Sequence, residues 1–143
     1  MPQPPVSISC QIDPSDLAGV TVCLRQLGWI AADEPVVALA RAGDGNMNCT
    51  LRASLGGRTL ILKQSRPFVA KYPSIPAPLD RAHVEARFYA LVAAAPVAAD
   101  LMPRLLHSDA DARLLCLEDL GEAADCTPLY DGARIALGWV AMV

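Results

Sequence analysis

The stretch ARAGDGNMNCTLRASLGGRTLILKQ, residues 40–64, decides the fold of this chain. After a Gly-Asp-Gly turn, apolar and polar residues alternate over 49–55, which is the period-2 pattern of a half-buried strand. Gly56-Gly57 is a two-residue hairpin signal, and 58–64 is the returning strand. The sequence therefore predicts two antiparallel strands joined by a tight turn.

The segments on either side of this hairpin predict two helices, three further strands and a proline-rich loop. They are a helix over 14–27 with Asp13 as its N-cap and Pro14 at its first position, a strand over 36–42, a loop over 66–78, a helix over 81–95 capped by Asp80 and closed by Pro96, and strands over 103–109 and 113–120. Runs of strands with one inserted helix are typical of antiparallel α+β units. The predicted fold class is α+β, with a five-stranded antiparallel sheet.

Composition excludes several classes of function. The net charge of −3 provides no basic footprint, so we expect no nucleic-acid partner. Five cysteines without a Cys-x-x-Cys pair and two distant histidines do not form a zinc pattern, and reduced thiols of a cytoplasmic protein are favoured. Residues 1–14 show no signal-peptide pattern, and the last apolar run, 133–143, is far shorter than the about 20 residues that span a bilayer. We therefore expect a cytoplasmic protein without a membrane partner.

The glycine turn, residues 43–48, allows two interpretations. A dinucleotide-binding turn leads into a helix, whereas this one leads into a strand, and no Gly-Lys-Ser/Thr follows as in a Walker A loop. A plain hairpin turn fits, because Asp-Gly and Asn tolerate a positive φ. The alternative is a glycine-rich loop folded over nucleotide phosphates, as in kinases, with Asn46 or Asn48 adding side-chain donors.

Lys63 and Glu85 favour the kinase interpretation. A kinase-like lobe needs a lysine near the end of its third strand and a glutamate in the following helix to hold that lysine. Lys63 ends the apolar strand, with Ile61 on the same face where it could support an adenine ring, and Glu85 is the acid inside the inserted helix. Phe88 and Tyr89 follow at helical spacing, so this face is expected to point inward. Singly, Lys63 could be an edge lysine and Glu85 a surface charge; together they predict a nucleotide site.

Five short motifs complete this pattern over about 36–122. They are GDGNMN (43–48), LKQ (62–64), PFV (67–69), PLDRA (78–82) followed by Glu85, and LCLEDL (115–120). Together they resemble the N-terminal lobe of methylthioribose kinases, which belong to the aminoglycoside phosphotransferase and choline kinase group and have a protein-kinase-like fold. The resemblance implies ATP as phosphoryl donor and a sugar hydroxyl, as in 5-methylthioribose of methionine salvage, as acceptor. The alternatives are an aminoglycoside- or choline-type phosphotransferase and a noncatalytic nucleotide-binding or interaction module.

The resemblance also implies a role for each candidate residue in ATP binding. Asn46 and Asn48 would lie in the phosphate loop, Lys63 would contact the α- and β-phosphates, and Glu85 would position Lys63. The backbone of Leu117, Glu118 and Asp119 would bind adenine, with Cys116 at the back of the pocket. The expected division of the chain is a leader and helix (1–35), an ATP-binding lobe (36–122) and a hinge linker with the start of a C-lobe helix (123–143).

The residues that would catalyse transfer are not found in this sequence. In this group an H-x-D-x-x-x-x-N loop and later acids that hold Mg²⁺ follow the hinge, whereas only 23 residues follow Leu120. His107-Ser108-Asp109 imitates the H-x-D, but Leu114 stands at the asparagine position and the segment is expected to be a hairpin turn. We therefore expect a lobe truncated before its catalytic part, with no catalytic or metal residue, inactive alone. It is expected to self-associate through its exposed interface, the hinge strand and the apolar residues of 137–142.

Overall fold

The computed structural model describes residues 10–43 and 45–122. In chain order the elements are α1 (Leu17–Gln26), β1 (Val36–Arg41), β2 (Asn48–Leu55), β3 (Thr59–Ser65), β4 (Phe68–Val69), β5 (Tyr72–Pro76), α2 (Arg81–Ala93), α3 (Pro96–Ala99), β6 (Leu105–Asp109) and β7 (Leu114–Glu118). The expected C-lobe helix lies outside the described residues, and the division of the chain stays a prediction. Among the described residues, no helix is long and apolar enough to cross a membrane.

Five strands form one antiparallel sheet in the order β1-β2-β3-β7-β6. The β2–β3 hairpin turns at Gly56-Gly57, where the Leu55 N–H donates to the Arg58 carbonyl oxygen at 2.8 Å. β3 is the central strand, so Lys63 lies between Thr50 of β2 and Leu115 of β7. The predicted α+β class with a five-stranded antiparallel sheet is therefore confirmed, and this architecture is compatible with a kinase N-terminal lobe.

Alternation along the strands gives the sheet two faces. Every second residue of β2 is buried, as the sequence pattern predicts. The core face packs with α1 in one hydrophobic core that includes Val20, Cys23, Leu24, Leu51, Ala53, Leu60, Leu62, Leu114 and Cys116. We call the opposite face, which carries Thr50, Ile61, Lys63 and Leu117, the site face. α2 packs against β3, β6 and β7, and its Glu85 meets Lys63 on the site face.

The N-terminal segment, residues 10–12, belongs to the same core and is held by Gln64. The buried Gln64 side chain accepts the Ile12 N–H at 3.0 Å and donates to the carbonyl oxygens of Cys10 and Ala112 at 2.6 and 2.8 Å. Cys10 is joined to Cys23 of α1 by a disulfide. The prediction of reduced thiols is therefore wrong for this pair, because the packing of the N-terminal segment brings together two cysteines that form no recognisable sequence motif.

α1 begins later than the sequence predicts. Asp16, not Asp13, is the N-cap, because its carboxylate accepts the Gly19 N–H at 2.8 Å. Asp13 instead caps a preceding turn, where it accepts from the N–H and the hydroxyl of Ser15 at 2.8 and 2.5 Å. Two aspartates three residues apart are both good caps, and the sequence alone does not choose between them.

α2 begins at the predicted residue and ends two residues earlier than predicted, and neither end is capped as the sequence predicts. Asp80 precedes it without a capping hydrogen bond, and the Ala82 N–H is satisfied by Ser65 Oγ at 3.0 Å. Pro96 does not simply close the helix; it starts the short helix α3, a position where the missing N–H of proline costs nothing. The N-terminus of α2 is thus tied directly to the end of β3.

The segment 66–78 is not the plain loop that its prolines predict. It contains a two-stranded hairpin, β4 paired with β5. All five residues of β5 are exposed, including its two prolines, Pro73 and Pro76. Proline is tolerated on such edge strands, where its missing N–H breaks no ladder bond.

Candidate functional site

Lys63 and Glu85 form an ion pair on the site face. Lys63 Nζ donates to Glu85 Oε1 at 2.6 Å, the length of a charge-assisted hydrogen bond. Lys63 projects from the central strand, and Glu85 lies in the second turn of α2. The side chains are 29% and 23% exposed, so the ammonium is held in place but remains accessible. The structure therefore brings together the lysine and glutamate that the sequence predicts to pair.

The sequence predicts that the helix face with Glu85, Phe88 and Tyr89 points inward because of its two aromatic residues. The structure does not support this reason. Phe88 is 49% exposed, and Tyr89 is half-buried with its pKa raised by burial. Ala82 is the buried residue of α2, and it is anchored to Ser65. Glu85 points at the sheet because the start of the helix is fixed there, not because an aromatic stripe faces the core.

A cavity of about 530 Å³ opens on the site face between the glycine turn and the segment after β7. Residues of the glycine turn, of the sheet and of the segment after β7 line this cavity, among them Gly43, Thr50, Ile61, Pro103, Leu117 and Asp119. Lys63 does not line this cavity; it lies two residues beyond Ile61 on the same face of β3. The cavity thus offers the apolar side chains of Ile61 and Leu117 to a flat ring and is also lined by charged residues. The Lys63 ammonium lies one step along the strand.

The hinge segment, residues 118–121, is fixed to β2 by Arg52. Arg52 Nε and Nη2 donate to the two carboxylate oxygens of Asp119 at 2.7 and 3.0 Å, and Nη2 also donates to the Gly121 carbonyl oxygen at 2.9 Å. These bonds from Arg52 hold the pKa of Asp119 at about 2. No sequence motif points to this pair, which joins residues 67 positions apart.

Glu118 is less available for a ligand than its predicted role requires. Its backbone N–H already donates to the Arg104 carbonyl oxygen at 2.9 Å, so this group cannot bind adenine. Its carboxylate pairs with the Arg104 side chain at 3.2 Å, and the hydrogen bonds from Arg104 lower the pKa of Glu118. Leu117 is paired with Ile61 and Leu105 in the sheet, so Asp119, which follows β7, is the residue of the three that lines the cavity outside the strand ladders.

Cys116 does not lie at the back of this cavity, contrary to the expectation. It is fully buried on the core face, opposite Leu62, whereas its neighbour Leu117 lines the cavity. Adjacent residues of a strand point to opposite faces, so both cannot line one site. Burial raises the pKa of the Cys116 thiol to about 11, which makes it an inert core residue.

The later half of the glycine turn is held by hydrogen bonds from Ala70 and Arg81. Gly43 has φ +83°, a conformation that favours glycine. The Asn46 carbonyl oxygen accepts the Ala70 N–H at 2.7 Å, and Asn48 Oδ1 accepts from Arg81 at 3.2 Å. Because Oδ1 is occupied, the amide nitrogen of Asn48 is the atom left to donate to an anion, which suits a phosphate.

His107-Ser108-Asp109 is the end of strand β6 and not the hairpin turn that the sequence predicts, since the turn follows at residues 110–113. Asp109 Oδ1 accepts the Ala112 N–H at 2.7 Å, which closes the β6–β7 connection. His107 stacks on Trp29, with ring centroids 5.4 Å apart. Within the described residues no group of three or more His, Cys, Asp or Glu side chains could hold a metal ion.

A partial match was found among known proteins. No family model matches the chain. The chain is similar to a methylthioribose kinase of Exiguobacterium sibiricum, with 38% identity over 98 residues. The matched region is 68% of this chain and 24% of that protein, so the chain spans about a quarter of its relative's length. This similarity supports a kinase-like relationship.

Proposed function

We propose that residues 36–122 are the ATP-binding lobe of a small-molecule kinase. The observation that carries the proposal is the Lys63–Glu85 ion pair on the same sheet face as a cavity that opens between the glycine turn and the hinge. Kinase-like lobes use such a lysine to hold the nucleotide phosphates and such a glutamate to hold the lysine. The similarity to a methylthioribose kinase supports a sugar hydroxyl, that of 5-methylthioribose or a related compound, as the acceptor.

Each part of ATP would have a defined partner in this arrangement. The adenine ring would lie against Ile61 and Leu117, and hinge backbone groups near Asp119 would bind its edge. The phosphates would then extend toward Lys63, with the glycine turn above them. The N–H groups of the turn can approach the phosphate oxygens closely because glycine has no side chain.

The 143-residue chain is expected to bind ATP without transferring its phosphoryl group. Its sequence contains no H-x-D-x-x-x-x-N motif, and an interaction that holds ground state and transition state equally accelerates nothing. A base for the acceptor hydroxyl and ligands for Mg²⁺ are both needed for in-line transfer. An ADP-release assay across 5-methylthioribose, aminoglycosides and choline should therefore give no turnover. Turnover that is lost in Asp109→Asn would contradict this and restore His107-Ser108-Asp109 as a catalytic segment.

Titration calorimetry with ATP and Mg²⁺ tests the assignment of Lys63. Lys63→Ala removes a charge-assisted contact and should weaken ATP binding by about ten- to a hundredfold, equivalent to ~1.5–3 kcal/mol. The matched control is Lys71→Ala, an exposed lysine of the β4–β5 turn, which should bind ATP as the wild type does. Equal affinity of the wild type and Lys63→Ala would refute the assignment.

A further inference from the structure

Arg81, the first residue of α2, contacts three other segments of the chain. Its Nη1 group donates to the carbonyl oxygen of Pro78. Its Nη2 group donates to the Met47 carbonyl oxygen, and also to Asn48 Oδ1 and the Arg66 carbonyl oxygen, both at 3.2 Å. One guanidinium therefore ties α2 to the end of the glycine turn and to the residue after β3.

Arginine is suited to this junction in a way that lysine is not. Its planar group carries five donors in a fixed fork, whereas lysine has one nitrogen on a flexible stem. The Nε atom of Arg81 is buried and has no hydrogen-bond partner among the described residues. The hydrogen bonds of the two Nη groups thus hold the side chain in the junction, and Nε does not contribute.

Arg81 and Glu85 lie one helical turn apart on α2, and residues at this spacing share a side of a helix. Glu85 holds Lys63, and Arg81 holds the later half of the glycine turn. α2 therefore reaches both phosphate-binding candidates, the lysine and the turn, through two charged side chains. A shift of this helix would move the two together.

The glycine turn needs such restraint because its own residues supply little. Glycine loses more backbone entropy on ordering than any other residue, and this turn has glycines at 43 and 45. The contacts described for its later half come from the Ala70 N–H to Asn46 and from Arg81 to Met47 and Asn48. Of these two donors, Arg81 is the one carried by the helix that also holds Lys63 in place.

We propose that Arg81 is a positioning residue that fixes the glycine turn relative to Glu85 and Lys63. The proposal rests on the proposed function, in which this turn binds nucleotide phosphates. Arg81 acts through the turn and does not itself touch ATP. Its loss should therefore weaken phosphate binding and leave the binding of adenosine, which has no phosphate, unchanged.

The test compares Arg81→Gln and Arg81→Lys with Arg87→Gln, which changes an exposed arginine of the same helix. Amide hydrogen exchange of the nucleotide-free chain reports on residues 45–48, and titrations give the affinities for ATP and adenosine. Both Arg81 variants should exchange faster at 45–48, because neither side chain can span the separate acceptors. They should bind ATP about tenfold more weakly and adenosine as the wild type does. Arg87→Gln should match the wild type throughout.

Unchanged exchange at 45–48 in both Arg81 variants would overturn the positioning role. An equal loss of ATP and adenosine affinity would overturn it too, since a general loss of structure affects both ligands. Where Arg81→Gln does not fold, the same measurements on Arg81→Lys decide. A wild-type chain that binds no ATP would refute the proposed function, while exchange at 45–48 would still decide whether Arg81 holds the turn.

Discussion

Two ion pairs of the site face stabilise the molecule in different ways. Lys63–Glu85 is partly exposed and presents an ammonium that a ligand can reach. Arg52–Asp119 is bidentate, and the Asp119 side chain is only 5% exposed, so this pair mainly fixes the hinge backbone. The first pair is a candidate for binding, and the second keeps the cavity in shape.

Asp119→Asn should lower the free energy of unfolding by about 1–2 kcal/mol near neutral pH, because the bidentate bond from Arg52 is lost. The pKa of Asp119 in the folded chain is about 2, below its usual value of 3.8. A depressed pKa means that the carboxylate stabilises the fold fully above its unfolded pKa and loses this effect as the pH falls through the folded one. The difference between wild type and variant should therefore shrink between about pH 4 and about pH 2.

Urea unfolding at a series of pH values measures this difference. Asp33→Asn is the control, because Asp33 is exposed. The free energy of unfolding of this variant should equal that of the wild type at each pH. A difference between wild type and Asp119→Asn that stays constant or grows on acidification would contradict the account of the hinge pair.

The sequence predicts single residues where a chemical role demands a particular spacing. Lys63 and Glu85 were found because a strand lysine followed by a helix glutamate is a functional pattern. Arg52 and Asp119 belong to no such pattern. Their ion pair forms because the fold brings β2 and the end of β7 together. Gln64, beside Lys63 in sequence, was likewise missed because its partners lie 48 to 54 residues away.

Secondary-structure elements were predicted best where their pattern was long. β2 alternates over its whole length, and its hairpin with β3 follows from Gly56-Gly57. β4 and β5 were missed because they are short and the second contains prolines that argue against a strand. The N-terminal segment was missed as part of the core because it has no periodicity and is held by side-chain contacts.

The disulfide that joins this segment to α1 gives a prediction at the scale of elements. Reduction of Cys10–Cys23 should lower the free energy of unfolding by about 3 kcal/mol. The disulfide closes a short loop, and its reduction raises the conformational entropy of the unfolded chain. Urea unfolding with and without a phosphine reductant measures the change. In a Cys10→Ser variant the reductant should have no such effect.

Peptide mapping identifies the bond itself. When the oxidised, denatured chain is alkylated before reduction, the peptides with Cys10 and Cys23 should remain unlabelled. Alkylation of both cysteines at this step would show that the thiols are free and would restore the prediction from composition.

The apolar surface of the whole molecule differs from the expected one. The hinge strand β7 was expected to be exposed, but Leu114–Leu117 are buried. The exposed apolar side chains of the described residues include a stripe on α2, formed by Val84, Phe88 and Leu91. Residues 137–142, the other half of the expected interface, lie outside the described residues. Self-association of the chain remains a prediction.

Two cavities that are both lined by residues of β3 compete for the role of nucleotide site. The first, of about 530 Å³, lies at Ile61 and the hinge. The second, of about 410 Å³, lies at the opposite end of β3 and is lined by Gln64, Arg66 and Arg113 among others. Lys63 and Glu85 line neither cavity, but Ile61 and Leu117 of the first lie on the site face, which also carries Lys63, so we assign ATP to the first.

Backbone amide chemical shifts of the isotope-labelled chain, recorded during addition of ATP and then of adenosine, decide between the two cavities. Adenosine should shift the amides of Ile61 and of 117–119, and ATP should shift these together with Lys63 and the glycine turn. The result that contradicts the account is an ATP response centred on 64–67 and 111–113, or no response at the turn and hinge.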